Sequence, residues 1–141
     1  MKVFDKSGIR FRYPADWTLE TEPFENGWTV SLYSPATAFL VVTFDRERDD
    51  PAELADGGLE AMRDMYPDLE ADAVLETIAG QPALGYDIDF FTLDLTNTCW
   101  IRALQAPEGC LLLLSQCTDT ELATNGTILK AIRASLEVEE A

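Results

Sequence analysis

Three cysteines, Cys99, Cys110 and Cys117, are the strongest nucleophiles in this chain of 141 residues, which has no histidine. Lacking an imidazole, it cannot build Ser–His–Asp or Cys–His pairs, histidine-ligated zinc or histidine acid–base chemistry. The segments Thr98–Ala106 and Cys110–Cys117 read as a hairpin joined by Pro107-Glu108-Gly109, a three-residue loop ending in glycine. If Ala106 pairs with Cys110, then Cys99 faces Cys117, either as a redox-sensitive pair or as a two-thiolate metal corner. Directly paired positions seldom suit a disulfide, and a one-residue slip would send the two thiols to opposite faces. Nearby carboxylates would also raise the thiol pKa values. Burial in a core is the simpler expectation, since cysteine is among the most buried residue types.

Carboxylates supply the other candidate chemistry. Asp87 and Asp89 lie two apart on a predicted strand, so they share a face about 7 Å apart. With Asp94 they could serve acid–base hydrolysis or hold a divalent metal, and a small metal-dependent hydrolase is the alternative function this trio suggests. A solvated strand face accounts for them equally well. Asp45, Glu47, Asp49 and Asp50 offer oxygen ligands suited to calcium but lack the spacing and glycine of an EF-hand loop. Gly-x-Gly-x-x-Gly, Walker, Cys-x-x-Cys and Gly-x-Ser-x-Gly motifs do not occur. No cofactor or metal is therefore expected, and the pattern favours binding over catalysis.

The charge points the same way. Ten basic and 26 acidic residues give a net charge of −16. Residues 45–94 hold three basic and fifteen acidic side chains, a net of −12. Nucleic acid and anionic membrane are poor partners for such a surface. A basic or amphipathic protein segment is a good one, steered within a Debye length of about 8 Å. The residues expected to meet it are Asp49, Asp50, Glu53, Asp56 and Glu60. A solvated face that only keeps the protein soluble is the plain alternative.

The elements carrying these residues follow from periodicity. Ile9, Phe11 and Tyr13 alternate with Arg10 and Arg12, and Trp28, Val30 and Leu32 alternate with polar neighbours, as half-buried strands do. Glu20–Gly27 reads as a polar loop. Phe39–Phe44 is apolar on both faces and predicts a covered central strand. Asp50, Pro51 and Glu53 then form a helix start, with a capping side chain, a proline at the first position and a capping-box glutamate. Leu54, Leu59, Met62 and Met65 should be its buried stripe, with Glu53, Asp56, Glu60 and Asp64 in water. Gly57-Gly58 marks close packing on a sheet or a weak turn, and Tyr66-Pro67 ends the helix. Strands follow over Val74–Ile78 and Leu84–Phe90, separated by Gly80-Gln81-Pro82. Beyond the hairpin a last helix opens at Thr118–Glu121, with Ile128, Leu129, Ile132 and Leu136 on one face and a break near Asn125-Gly126. The expected architecture is one α+β domain: a mainly antiparallel sheet of about six strands with helices on both faces.

No apolar stretch follows Lys2 and Lys6, so no signal peptide is expected. The longest apolar runs, Ala38–Val42 and Cys110–Leu114, fall far short of the ~20 residues of a membrane span. With an odd cysteine count, a cytoplasmic protein is the expectation.

Phe11-x-Tyr13-Pro14-x-x-Trp17, followed by the apolar strand from Trp28, resembles the entry signature of the PsbP-like superfamily. That group includes the Ran-binding Mog proteins and bacterial domains such as the Eag-type chaperones of type VI secretion effectors. Gly80-Gln81-Pro82-Ala83 before a strand, the long hairpin and a closing helix near Leu136 extend the resemblance over most of the chain. It implies a PsbP-like antiparallel sheet sandwiched by helices, and a non-enzymatic binding role, since the characterised relatives bind GTPases, photosystem subunits or effector segments. No family binding residue maps onto a position here. A chaperone-like member would need an exposed apolar patch, for which Phe91, Leu93 and Leu95 are the candidates, as a continuation of the face bearing Asp87 and Asp89.

Overall fold

The structure is a computed structural model, and it describes residues 1–139. Period-two alternation becomes strands where it was read: Ile9, Phe11 and Tyr13 are buried and Arg10 and Arg12 exposed in β2 (Ile9–Tyr13). Trp28, Val30 and Leu32 point inward from β4 (Gly27–Tyr33). The predicted polar loop is mostly β3 (Thr18–Phe24), an edge strand with almost every side chain exposed. An edge strand of this kind has no apolar face to show in sequence, and its acidic side chains guard it against pairing with other chains.

Seven strands form one antiparallel sheet in the order β3-β4-β5-β9-β8-β7-β6. The meander β3, β4 and β5 (Phe39–Asp45) is followed by α1 (Pro51–Met65). A second meander, β6 (Glu70–Ile78), β7 (Gln81–Thr92), β8 (Leu95–Ala106) and β9 (Gly109–Thr118), brings β9 against β5. A three-stranded sheet, β1 (Lys2–Lys6), β2 and β10 (Glu137–Val138), joins the two ends of the chain.

The α+β sandwich with helices on both faces is not what forms. Strands make up 55% of the chain and helix 22%, so the class is mainly β, with seven plus three strands instead of about six. Among the described residues, one face of the large sheet carries only α1. The other is closed largely by the small sheet, with the eight-residue α2 (Thr127–Ala134) beside it. The reason is that both chain ends contribute short strands. Lys2–Lys6 buries only Phe4 and Glu137–Val138 is two residues long, too little alternation to register as a layer.

The two cores reflect this. Phe4, Phe11, Trp28 and Phe44 pack between the sheets, with ring centroids 4.9 Å (Phe4–Phe11), 5.2 Å (Phe4–Trp28) and 5.6 Å (Trp28–Phe44) apart. Leu129 and Ile132 of α2 join them. On the other face, Ala55, Leu59 and Met62 rest on Ile88, Phe90, Cys99, Ile101 and Ala103. Met65, expected in this stripe, is exposed, and Ala55 takes a place the sequence reading left out. Gly58 lies over the sheet, where a Cβ would come within 3.2 Å of Ile101 Cδ1, whereas Gly57 faces open space. Of the two readings of Gly57-Gly58, close packing holds for Gly58. The closing helix is interrupted as its Asn-Gly suggested: a 3-10 turn and a wide π-type turn precede α2.

Candidate functional site

The acidic helix starts as its cap dictates. Asp50 is extended, and its carboxylate accepts from Ala52 N at 2.9 Å. Asp49, Asp50, Glu53, Asp56 and Glu60 are all exposed. Asp56 also accepts from the Tyr86 hydroxyl at 2.5 Å, and that hydrogen bond, followed by burial, pushes the Tyr86 pKa up. Asp49, Glu53 and Glu60 make no ion pair among the described residues. The calcium candidates are engaged locally: Asp45 accepts from Glu47 N at 2.9 Å and lies 3.7 Å from Arg48 Nε. Among the described residues no group of three or more Cys, Asp or Glu is placed to hold a metal ion.

α1 packs chiefly over β7, β8 and β9, and among the described residues no helix lies over the same face above β3, β4 and β5. Thr29, Ser31, Val41 and Thr43 are half-buried there, with Leu112 and Leu114 beside them and Glu20 and Glu22 along the edge. Asp56 and Ala52 of α1 face Tyr86 and Val74. At 3.6 residues per turn, Leu54 and Ala61 lie on the opposite side of the helix.

The β7–β8 hairpin ends in the turn Leu93-Asp94, with φ of 47° and 67°. Two-residue hairpin turns of this hand favour Asn-Gly, because both positions need positive φ. A leucine there costs about 1–2 kcal/mol. Leu93 is 96% exposed, Phe91 77% and Leu95 39%. Only Phe91 continues the face of Asp87 and Asp89. Leu95 pairs with Thr92, so the turn places it on the opposite face, contrary to the sequence reading. Met65, the last residue of α1, shares with Phe90 and Phe91 a hollow of 260 Å³ that Asp68 also lines. Glu70 stands directly across from Asp89. The apolar tip thus adjoins the end of the acidic helix and has carboxylates around it.

Asp87, Asp89 and Asp94 do not converge. Asp87 accepts from Arg102 Nη2 at 2.8 Å, Asp89 accepts from Thr98 Oγ1 at 2.9 Å, and Asp94 is in the turn. Seven residues of strand put Asp94 roughly 20 Å from Asp87.

Arg102 is the polar residue the sequence reading missed. It is 3% exposed, reaches the Glu76 carboxylate with Nε, and donates from Nη1 to Ile101 O at 2.9 Å and Tyr86 O at 3.3 Å. Gly85 pairs with it across β7 and β8, at a close backbone approach where a Cβ would run into Ile101 O. The available signal was one arginine inside the otherwise apolar run Cys99–Leu104. Glu76 also receives Arg133 Nη2 of α2 at 3.3 Å. Burial pulls the Arg133 pKa down, an effect Glu76 opposes.

The cysteines are free and buried. Ala106 pairs with Gly109, one residue away from the assumed register, so Cys99 pairs with Gln116 and Cys117 with Thr98. Cys99 and Cys117 accordingly face opposite sides, and neither a disulfide nor a two-thiolate corner can form between them. Burial pushes Cys99 up to about 12. It also raises Cys110, with help from Asp49, Asp50 and Asp45, and Cys117, with help from Glu121.

Fold and surface together define a two-sheet, mainly antiparallel β domain without a converged reactive centre among its described residues. Solved structures share this fold. A Bacteroides thetaiotaomicron protein matches with a TM-score of 0.65 and 15% identity over 99% of this chain and 48% of its own. LpqN of Mycobacterium tuberculosis, involved in cell envelope biogenesis, matches with 0.54 and 15% over 94% of this chain and 83% of its own. PA94 of Pseudomonas aeruginosa, of unknown function and described as a candidate regulator, matches with 0.60 and 15% over 100% and 99%. This chain spans about half the length of the Bacteroides protein. At 15% identity the likeness is one of fold. No family model and no curated protein matches. The PsbP-like assignment gains no support, since none of these neighbours bears that name and the helical sandwich it implied is absent. No helix among the described residues is long and apolar enough to cross a membrane.

Proposed function

We propose that this protein is a non-enzymatic binding domain, of adaptor or chaperone type, that captures a basic amphipathic segment of a partner protein. The observation that carries the reading is the tip Phe91-Leu93-Leu95, exposed, held partly in left-handed backbone, and adjoining Met65 at the end of an acidic helix. Apolar anchors surrounded by carboxylates suit a segment with leucine-like residues on one side and Lys or Arg on the other. A second copy of this chain suits them poorly, because each copy carries a charge of −16. The three buried free thiols fit a reducing, cytoplasmic setting. A hydrolase built on Asp87, Asp89 and Asp94 has no comparable support, with Asp87 committed to Arg102 and Asp94 far along the strand.

Fluorescence anisotropy with a labelled Lys/Leu amphipathic helix and its Glu/Leu counterpart tests the reading. The basic peptide should bind, and its affinity should fall about tenfold or more when Asp49, Glu53 and Glu60 are all changed to Lys. That loss should shrink at high salt. Equal binding of the two peptides, or no change on charge reversal combined with Phe91→Ser, would remove the proposal.

A further inference from the structure

Among the described residues the seven-stranded sheet ends in two free edges, β3 and β6. β3 carries Pro23, which has no amide donor to offer a further strand. β6 has no proline in its nine residues, Glu70–Ile78, and pairs with β7 along its whole length. Alternate N–H and C=O groups of β6 therefore point away from the sheet, and no strand among the described residues takes them up. Its two rows of side chains differ in character. Ala71 packs against the α1 core, so Ala73 and Leu75 lie on that side. Leu75 is 67% exposed and stands opposite Leu84, which is also exposed. Glu76 meets Arg102 on the other side, where the exposed Glu70 and Asp72 stand opposite Asp89 and Asp87. Glu70, Asp72 and Asp89 have no cation at ion-pair distance among the described residues.

We propose that β6 accepts a further β-strand from a partner protein, an extended segment that alternates basic and apolar residues. Its basic row lies over Glu70 and Asp72, and its apolar row over Ala73 and Leu75. Main-chain hydrogen bonds to a free edge supply affinity, and the alternate side chains select the partner. A second copy of this chain is the wrong occupant. Two-fold antiparallel pairing of β6 with itself sets Glu76 against Asp72 when centred on Val74, and against Glu70 when centred on Ala73. Like charges directly opposite each other destabilise such a pair. The same carboxylates attract a basic strand. At the other end of β6, Lys130 and Arg133 stand beside Glu76 and Thr77, so the basic residues of the partner belong at the Glu70 end. Neither Phe91, Leu93 and Leu95 nor the acidic residues of α1 take part, so this edge and the tip can fail separately.

The test combines fluorescence anisotropy with amide hydrogen exchange of the whole chain, read by NMR. The probe is a labelled peptide of about eight alternating Lys and Val residues, a typical strand length. It should bind and protect alternate amides of β6, which exchange freely without it. Affinity should fall about tenfold when Glu70→Lys and Asp72→Lys are combined. A fully N-methylated form of the peptide keeps every charge and side chain but donates no main-chain hydrogen bond, and it should bind about tenfold more weakly or worse. Absence of binding, equal binding of the methylated peptide or unchanged affinity in the double variant overturns the proposal. Protection confined to α1 and the Phe91 tip overturns it while leaving the tip reading in place. Protection of β6 in the free protein that disappears on dilution assigns the edge to a second copy, and overturns it too.

Discussion

The two faces of the seven-stranded sheet are built to different ends. One is sealed by a second sheet and α2 over a dense aromatic core, with Trp28 1% exposed and Phe11 1% exposed. The other has a single helix set to one side and half-buried Val41, Leu112 and Leu114 beside it, while the apolar β7–β8 tip extends past the sheet with Phe91 on the sealed side and Leu95 on the α1 side. The sealed face accounts for cohesion. The partly open face retains apolar surface that folding leaves in water.

The largest effect should separate the faces by stability. Trp28→Ala should cost about 3–5 kcal/mol in urea unfolding, because it empties space between Phe4 and Phe44. Phe91→Ala should stay within about 0.5 kcal/mol. Comparable losses for the two would mean that the tip is core and the contrast is false.

Next comes the polar seam of the sealed face. Arg102→Met should destabilise by about 1–3 kcal/mol, since it leaves Glu76 and Asp87 without their shared cation. The lower part of that range applies if water reaches these carboxylates, which are 33% and 43% exposed. A melt identical to that of the unmodified protein would reduce the network to a surface ion pair.

At the tip the sign reverses. Leu93→Gly should raise stability by up to about 1 kcal/mol, because glycine accepts the positive φ without strain. The same change should weaken peptide capture. Stability gained together with binding lost would mark Leu93 as retained for recognition, whereas a loss of stability would show that its side chain is packed.

The smallest effect is a pH dependence at the rim. Burial pushes the Glu121 carboxyl up, but hydrogen bonds from Thr37, Asn125 and Thr118 outweigh it and leave the pKa below the ordinary 4.5. Stability from a depressed carboxylate is complete above its unfolded pKa and drains as pH falls through the lower folded value. As pH falls below about 5 the unmodified protein should therefore lose more stability than Glu121→Gln. Parallel acid-unfolding curves would show that these bonds contribute nothing.

Much of the fold was written in local pattern. The alternation in Ile9–Tyr13 and Gly27–Tyr33, the Asp50-Pro51-Glu53 helix start and the interruption at Asn125-Gly126 each rest on neighbours within a few residues. Their physical causes, pleat period, capping and backbone preference, act at that range. So does the exposure of Asp49, Asp50, Glu53, Asp56 and Glu60, because a helix stripe decides which side meets water.

Other features depended on partners far along the chain. The pairing of Ala106 with Gly109 in place of Cys110 set Cys99 and Cys117 on opposite faces, since a one-residue change of register inverts every side chain. The small sheet exists only because Glu137–Val138 returns to β2. Arg102 is tolerable inside only because Glu76, Asp87 and the backbone carbonyls of Tyr86 and Ile101 meet it there. Local sequence thus determined the strands, the main helix and the acidic exterior. Tertiary structure alone decided which layer covers which face, where the buried cation sits and that one apolar tip remains in water, because each of these is settled by burial against residues that are distant in the chain.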